Sequence, residues 1–437
     1  MEILDWRSMN PTQRAAALSR PAAALQTRTL AQAQAIIDAV RAEGDAALVR
    51  YAREFDGVEL SRLQVGPAEF AAARAQLQGA QFAALERAIA NVEAFHRAAL
   101  PAALSMEVQP GVRCERLIRP LNAVGLYVPA GSAPLAATVY MLAVPARIAG
   151  CARRVLCTPP QQDGLAGAAV LVAAQLCGIE QVFKIGGAQA IAALAYGTES
   201  VPKVAKIFGP GNAWVTAAKQ LVAADPAGAA LDMPAGPSEV LVIADDSARP
   251  EFVAADLLAQ AEHDPRSQAL LVTPSPALAQ RVAAAVAAQM PGLSRLAILR
   301  ESMRTCRILI VSDLQQALEV SEAYAPEHLI IETRAPRALL ESVTSAGSVF
   351  LGDWSPEPIG DYCSGTNHVL PTYGYARAYS GLSVTDFTRR MTVQELQPQG
   401  LRDLGPTAST LASLEGLDAH AAAVDIRLGV LAAQGAA

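Results

Sequence analysis

The sequence is poor in charge and in aromatic rings: Asp, Glu, Lys and Arg make up 17% of its 437 residues, and Phe, Trp and Tyr only 5%. A chain so short of charge yet 52% hydrophobic is not a disordered, solvating one, and it has the material for a large core. Basic runs are missing too. With 35 Lys and Arg against 41 Asp and Glu, the net charge is -6, and no stripe could neutralise a row of phosphates, which excludes nucleic acid as a partner. The six cysteines are scattered and never spaced CxxC, which excludes a disulfide scaffold and a zinc ribbon; they read as reduced thiols in a cytoplasmic protein. No apolar tract approaches the roughly 18 residues of a membrane span, since even Ala168 to Ala174 ends at Gln175. The acidic start Met1-Glu-Ile-Leu-Asp5 is the opposite of a signal peptide's basic region.

What is present is a long alternation of β-branched runs and helical periods. From Arg154 onward, strands are expected at Val155 to Cys157, Gln181 to Ile185, Val204 to Phe208, Glu239 to Ala244, Gln268 to Val272, Arg307 to Val311, His328 to Ile331 and Ser348 to Leu351. Helical spacing between them predicts α/β architecture with two open, mostly parallel sheets of incomplete Rossmann type, flanked by helices. Small helical parts are expected at both ends. The first hundred residues carry Ala-rich amphipathic patterns at Leu30 to Arg53 and Glu69 to Leu100, and the tail after Gln397-Pro-Gln-Gly400 is too short to bury a core of its own.

Candidate chemistry gathers around the histidines. Gln260-Ala-Glu-His263 closes a helix, so Gln260 and His263 share a face and suit one metal ion; the competing reading is a solvated helix end. Gly360-Asp-Tyr-Cys-Ser-Gly-Thr-Asn-His368 reads as a polar loop after a strand, with Asp361 a hard ligand and His368 a ligand contact. Tyr324-Ala-Pro-Glu327-His328 sets an acid beside an imidazole at a strand's start. Both face one site only if Pro326 holds the segment out of pleat; otherwise Glu327 is a cap and His328 half-buried packing. His96 is expected to be a surface or capping residue, and a lone His420 in the tail would ordinarily be one as well. Two glycine turns, Gly186-Gly187 before Gln189 and Gly209-Pro-Gly-Asn212, open helices after strands and expose backbone N–H groups to a phosphate.

Together these segments resemble the histidinol dehydrogenases. The resemblance is carried in order by Gly125-Leu-Tyr-Val-Pro129, Gly186-Gly-Ala-Gln-Ala190, Gly209-Pro-Gly-Asn212, Pro234-Ala-Gly-Pro-Ser-Glu239, Ala261-Glu-His263, Pro326-Glu-His-Leu329, Gly360-Asp361, Ser364 to Gly374 and Glu415 to His420. It implies an enzyme that uses Zn²⁺, one per subunit, and NAD⁺ to oxidise L-histidinol through L-histidinal to L-histidine. By the same resemblance, Gln260, His263, Asp361 and His420 are the metal ligands, and Glu327 and His328 the acid-base pair. Ser238, His368 and Glu415 are substrate contacts along with His328 and the metal ligands. Tyr127, Gln189 and Asn212 belong to the NAD site. The implied partner is a second copy, in a homodimer with shared sites.

The division expected with it is an arm at 1–20, a first α/β domain at 21–124 with 238–382, a nucleotide-binding domain at 125–237, and a helical domain at 383–437 swapped onto the partner. Ala130 departs from the pattern, which more often has glycine there. Rival readings are a related dehydrogenase of another small alcohol, a zinc hydrolase that would need no NAD, and a non-catalytic binding protein. A cysteine nucleophile at Cys363 is a rival within the dehydrogenase reading. Cys363→Ala is expected to keep near-normal turnover in a steady-state NADH assay; loss of aldehyde oxidation alone would restore the thiol route.

Overall fold

The computed structural model describes residues 1–21, 27–130, 135–234 and 236–435. Ala235, in the segment Pro234 to Glu239 singled out above, and Gly131 and Ser132, which follow Ala130, lie outside them. Two compact units form: residues 1–99 with 121–387, and residues 100–120 with 388 onward. Among the described residues no helix is long and apolar enough to cross a membrane.

Among the described residues there are fourteen strands: β1 Glu2–Asp5, β2 Leu104–Gln109, β3 Val112–Pro120, β4 Ala123–Tyr127, β5 Arg153–Thr158, β6 Gln181–Lys184, β7 Lys206–Phe208, β8 Ala230–Leu231, β9 Glu239–Ala244, β10 Gln268–Thr273, β11 Arg307–Ile310, β12 His328–Glu332, β13 Ser348–Leu351 and β14 Thr388–Leu396. The first sheet has the order β1-β11-β10-β9-β12-β13 and is parallel throughout. Every residue of β9 and β10 is buried, as strands covered by helices on both faces require. The second sheet, β6-β5-β4-β7-β8, is also parallel.

Three features depart from expectation. The arm supplies an edge strand, β1, paired with β11. The helices of residues 27–98 pack on the second sheet: Ile37 and Leu48 share a core with Val155 and Ile191, and Ile89 and Val92 share one with Val139 and Leu142. An Ala-rich helix carries one apolar stripe and no record of which sheet it covers. The tail, expected to be helical, carries a sheet as well, with β14 antiparallel to β3 and β3 to β2. Most residues of β14 are exposed, so its strand pattern is weak in sequence.

Chain reversals place the functional edges. The helix Pro250–Ala261 leaves the carboxyl end of β9 and runs back to the amino edge of the first sheet, delivering Gln260 and His263 there. The short helix Glu357–Tyr362 after β13 makes the same return. In the second sheet the strand order reverses between β4 and β7, which opens a crevice at their carboxyl ends. Gly209 sits in that crevice at φ +120°, where a Cβ would lie 2.0 Å from the Tyr127 carbonyl oxygen. A buried ion pair, Lys219 with Asp232, grips the same residue: Lys219 Nζ donates to the Gly209 carbonyl at 2.9 Å, and Asp232 Oδ2 accepts its N–H at 2.8 Å.

Lys219→Met strands the Asp232 carboxylate and is expected to cost about 3–5 kcal/mol of stability in urea unfolding. A loss under 1 kcal/mol would show the pair to be dispensable.

Candidate active site

At the amino edge of the first sheet the registers align Glu239 with Gln268 and Val240 with His328. Glu327 lies just outside the pleat. Ala325 before it adopts φ +52°, and this turn lets two consecutive residues face one place. Glu327 and His328 are both buried, with Glu327 Oε2 at 3.8 Å from His328 Nδ1. Glu327 Oε2 accepts the Glu239 N–H at 2.8 Å. His328 Nδ1 lies 3.1 Å from the Glu239 carbonyl oxygen, which can only accept, so Nδ1 carries the proton. Its Nε2 is buried without a hydrogen-bond partner, 3.5 Å from Asp361 Oδ1. In the neutral ring Nε2 would present the lone pair that a general base needs.

Asp361 was expected on a loop. It lies instead on the helix Glu357–Tyr362, which prolines at 356 and 358 start. The helix puts Glu357 and Asp361 one turn apart on one face. The ligating atoms of His263, Glu357 and Asp361 fall within 4.8 Å of one another. Gln260 is fully buried beside them. With its nitrogen turned toward Glu357, the amide donates to both carboxylate oxygens at 2.9 and 3.0 Å. With its oxygen there, it accepts from His328 Nδ1 at 3.0 Å. The charge on Glu357 decides between them, since a carboxylate takes the NH₂ and a neutral carboxyl takes the oxygen.

Glu357 was not foreseen from the sequence. Its spacing to Asp361 was the available signal, hidden by the reading of that stretch as a loop. Burial pushes Glu357 up to about 8 and Glu327 well above the usual carboxylate range. Burial opposes charge on His328 too, but the carboxyl groups of Glu357, Glu327 and Asp361 outweigh it and hold the imidazole well above its ordinary value. A divalent cation among these carboxyl groups would relieve the cost of ionising them and release His328 toward neutrality. The donor set, imidazole, carboxylate and amide oxygen, suits zinc.

The remaining expected residues divide into three groups. Ser238 immediately precedes β9 at the same edge, and its carbonyl accepts the Gln268 N–H at 3.2 Å. His368 Nδ1 lies 2.9 Å from the Asp361 carbonyl and its Nε2 3.3 Å from Thr138 Oγ1, which fixes the ring beside the site. Burial lowers its pKa. Glu415 and His420 stand exposed on the second unit, at the start of its last helix, Asp418–Gly435, and in the turn before it. Tyr127, Gln189 and Asn212 line the carboxyl edge of the second sheet. The Tyr127 hydroxyl accepts the Gly187 N–H at 3.1 Å, and Asn212 Oδ1 caps the helix Ala213–Ala224 through two N–H groups at 3.1 Å. Gln189 is buried with an unpartnered Oε1. His96, expected at the surface, is fully buried: it meets Asn367 Nδ2 through Nε2 at 3.3 Å, and burial lowers its pKa to about 4. Cys363 is half-buried, and its carbonyl accepts from Asn91 Nδ2 at 2.8 Å.

A family model described as histidinol dehydrogenase matches residues 19–428. Two relatives named histidinol dehydrogenase, from Yersinia pestis and Xanthomonas euvesicatoria, are 53% and 55% identical over 429 and 432 residues, covering 98% and 99% of this chain and 96% and 100% of theirs. The chain belongs to the histidinol dehydrogenase family. The crystal structure of histidinol dehydrogenase from Elizabethkingia anophelis matches with a TM-score of 0.93 and 42% identity, covering 97% of each chain.

Glu357→Gln should weaken zinc retention by about 10–100-fold, measured by competition with a chromogenic chelator. Unchanged retention would remove Glu357 from the metal's surroundings.

Proposed function

We propose that the amino-edge cluster holds one zinc ion per chain, that the second-sheet crevice takes NAD⁺, and that the two together oxidise L-histidinol to L-histidine in histidine biosynthesis. The observation that carries this reading is the pair Glu327 and His328, brought to one buried spot with His328 Nε2 unpartnered. His263 and Asp361, with Gln260 and Glu357 around them, are the groups of the first unit that would hold the metal. The set is completed by His420 of the partner subunit, with Glu415 of the partner subunit contacting substrate. A second copy is supported by apolar side chains left open on the second unit, Leu414 at 78% exposure and Ile426 at 68%.

Zinc held by Gln260, His263 and Asp361 would supply a Lewis acid suited to the nitrogen donors of the amino alcohol. NAD⁺ supplies a hydride acceptor, used twice. The chain's own groups handle the protons. His328 Nε2 takes the hydroxyl proton as the carbinol carbon loses its first hydride, giving the aldehyde. Glu327 takes a proton from the water that adds to the aldehyde carbon while His328 returns its proton to the aldehyde oxygen, giving a gem-diol. His328, neutral again, then takes a hydroxyl proton of the diol as the second hydride leaves, and the carboxylic acid so formed ionises to the carboxylate. Holding the aldehyde between the two oxidations matters, because a free amino aldehyde reacts with any amine it meets. Tyr127 and Asn212, at the starts of the helices Gly187–Tyr196 and Ala213–Ala224, offer the dinucleotide a polar crevice with helix N-termini at its rim.

Zinc-loaded protein given L-histidinol and NAD⁺ should form two NADH per histidine; product formed without NAD⁺ would favour a hydrolase. Glu327→Gln should depress oxidation of supplied L-histidinal at least about tenfold more than oxidation of L-histidinol to the aldehyde stage, read by single-turnover kinetics. Equal loss in both would count against the role of Glu327.

A further inference from the structure

Glu239 opens β9 with a buried carboxylate, a group that needs a cation to stay charged. The cation comes from the opposite end of the sequence. Arg20 Nε and Nη2 donate to Glu239 Oε1 and Oε2 at 2.5 and 2.9 Å, a two-pronged pair shielded from water. Neutralisation is only part of what the guanidinium does. Nη2 also donates to the Tyr324 carbonyl at 2.8 Å, and the guanidinium carbon lies 3.9 Å from the centre of the Tyr324 ring. One planar group thus joins the start of β9 to the turn whose next residue, Ala325, is held at φ +52°.

These two segments meet at Glu327. Its Oε2 accepts the Glu239 N–H at 2.8 Å, and its carbonyl accepts the Ser348 N–H at 2.9 Å. Glu239 Oε1 takes a further bond from the Tyr373 N–H at 2.8 Å. Both ends of Glu239 are therefore committed, the side chain to Arg20 and the amide to Glu327. Freeing the side chain frees the peptide on which the Glu327 carboxylate rests, and freeing Tyr324 loosens the turn that lifts Glu327 out of pleat.

We propose that Arg20 is a positioning residue for the aldehyde half of the reaction, fixing Glu239 and the Tyr324 turn so that Glu327 stays beside His328. The inference rests on the role given to Glu327 above. It requires the fork and not merely the charge, because an ammonium cannot bond two carboxylate oxygens and a carbonyl in one plane.

The test compares Arg20→Lys, Arg20→Ala and Glu327→Gln by single-turnover oxidation of L-histidinol and of L-histidinal. Arg20→Lys should melt like the parent, yet its ratio of aldehyde to alcohol oxidation should fall about tenfold. Arg20→Ala should fall further and recover in millimolar guanidinium, though not in ammonium. An unchanged ratio in Arg20→Lys, or the absence of guanidinium-specific recovery in a folded Arg20→Ala, overturns the proposal. If Glu327→Gln itself lowers both half-reactions equally, the role of Glu327 falls. Guanidinium-specific recovery of Arg20→Ala would still support the clamp, and its absence would still overturn it.

Discussion

Concentrated negative charge in a place with little water is the constraint on which this site depends. Glu239, Glu327, Glu357 and Asp361 gather at the amino edge of one parallel sheet, the first three of them buried. Each would be costly alone. Glu239 is answered by Arg20. For the other three the cationic groups within the cluster are the imidazoles of His328 and His263 and whatever ion it binds. Left to themselves, the carboxyl groups drive His328 toward the protonated form and burial drives Glu357 toward the neutral one, a state unsuited to base catalysis. A divalent cation reverses both tendencies at once, which is why the metal and the base belong to one account.

The topology explains how residues so distant in sequence meet. Helices after β9 and β13 return to the amino edge of the first sheet, so their last turns, not their first, carry Gln260 and Asp361. The crevice proposed for the dinucleotide follows the more familiar rule, at the carboxyl ends of β4 and β7 where the strand order of the second sheet reverses. The central strands of both sheets are buried and mostly apolar, and the polar groups sit at the rims, where backbone N–H groups and carbonyls are left over for side chains.

Much of this was legible in the sequence. Strands such as Glu239–Ala244 and Ser348–Leu351 follow from continuous β-branched runs, and their ends agree with the structure. Gln260 with His263, and Glu327 with His328, stood out because an imidazole beside an amide or an acid can grip a metal ion or move a proton. Other residues were hidden for physical reasons. Glu357 lies between prolines that read as a loop, although they occupy the cap and first turn of a helix. Arg20 could not be paired with Glu239 from spacing, since 219 residues separate them. His96 sits on an Ala-rich helix whose periodicity does not tell a buried polar residue from an exposed one. The strand β14 is exposed on most of its length and gives little apolar alternation to read.

The central claim is a zinc ion held by oxygen and imidazole nitrogen, with no cysteine. X-ray absorption at the zinc edge, on protein purified with its metal, tests it most directly. The account predicts one zinc per chain with an inner shell of nitrogen and oxygen at about 2.0–2.2 Å, including imidazole scattering. A zinc–sulfur distance near 2.3 Å, or protein that retains no zinc, would contradict it.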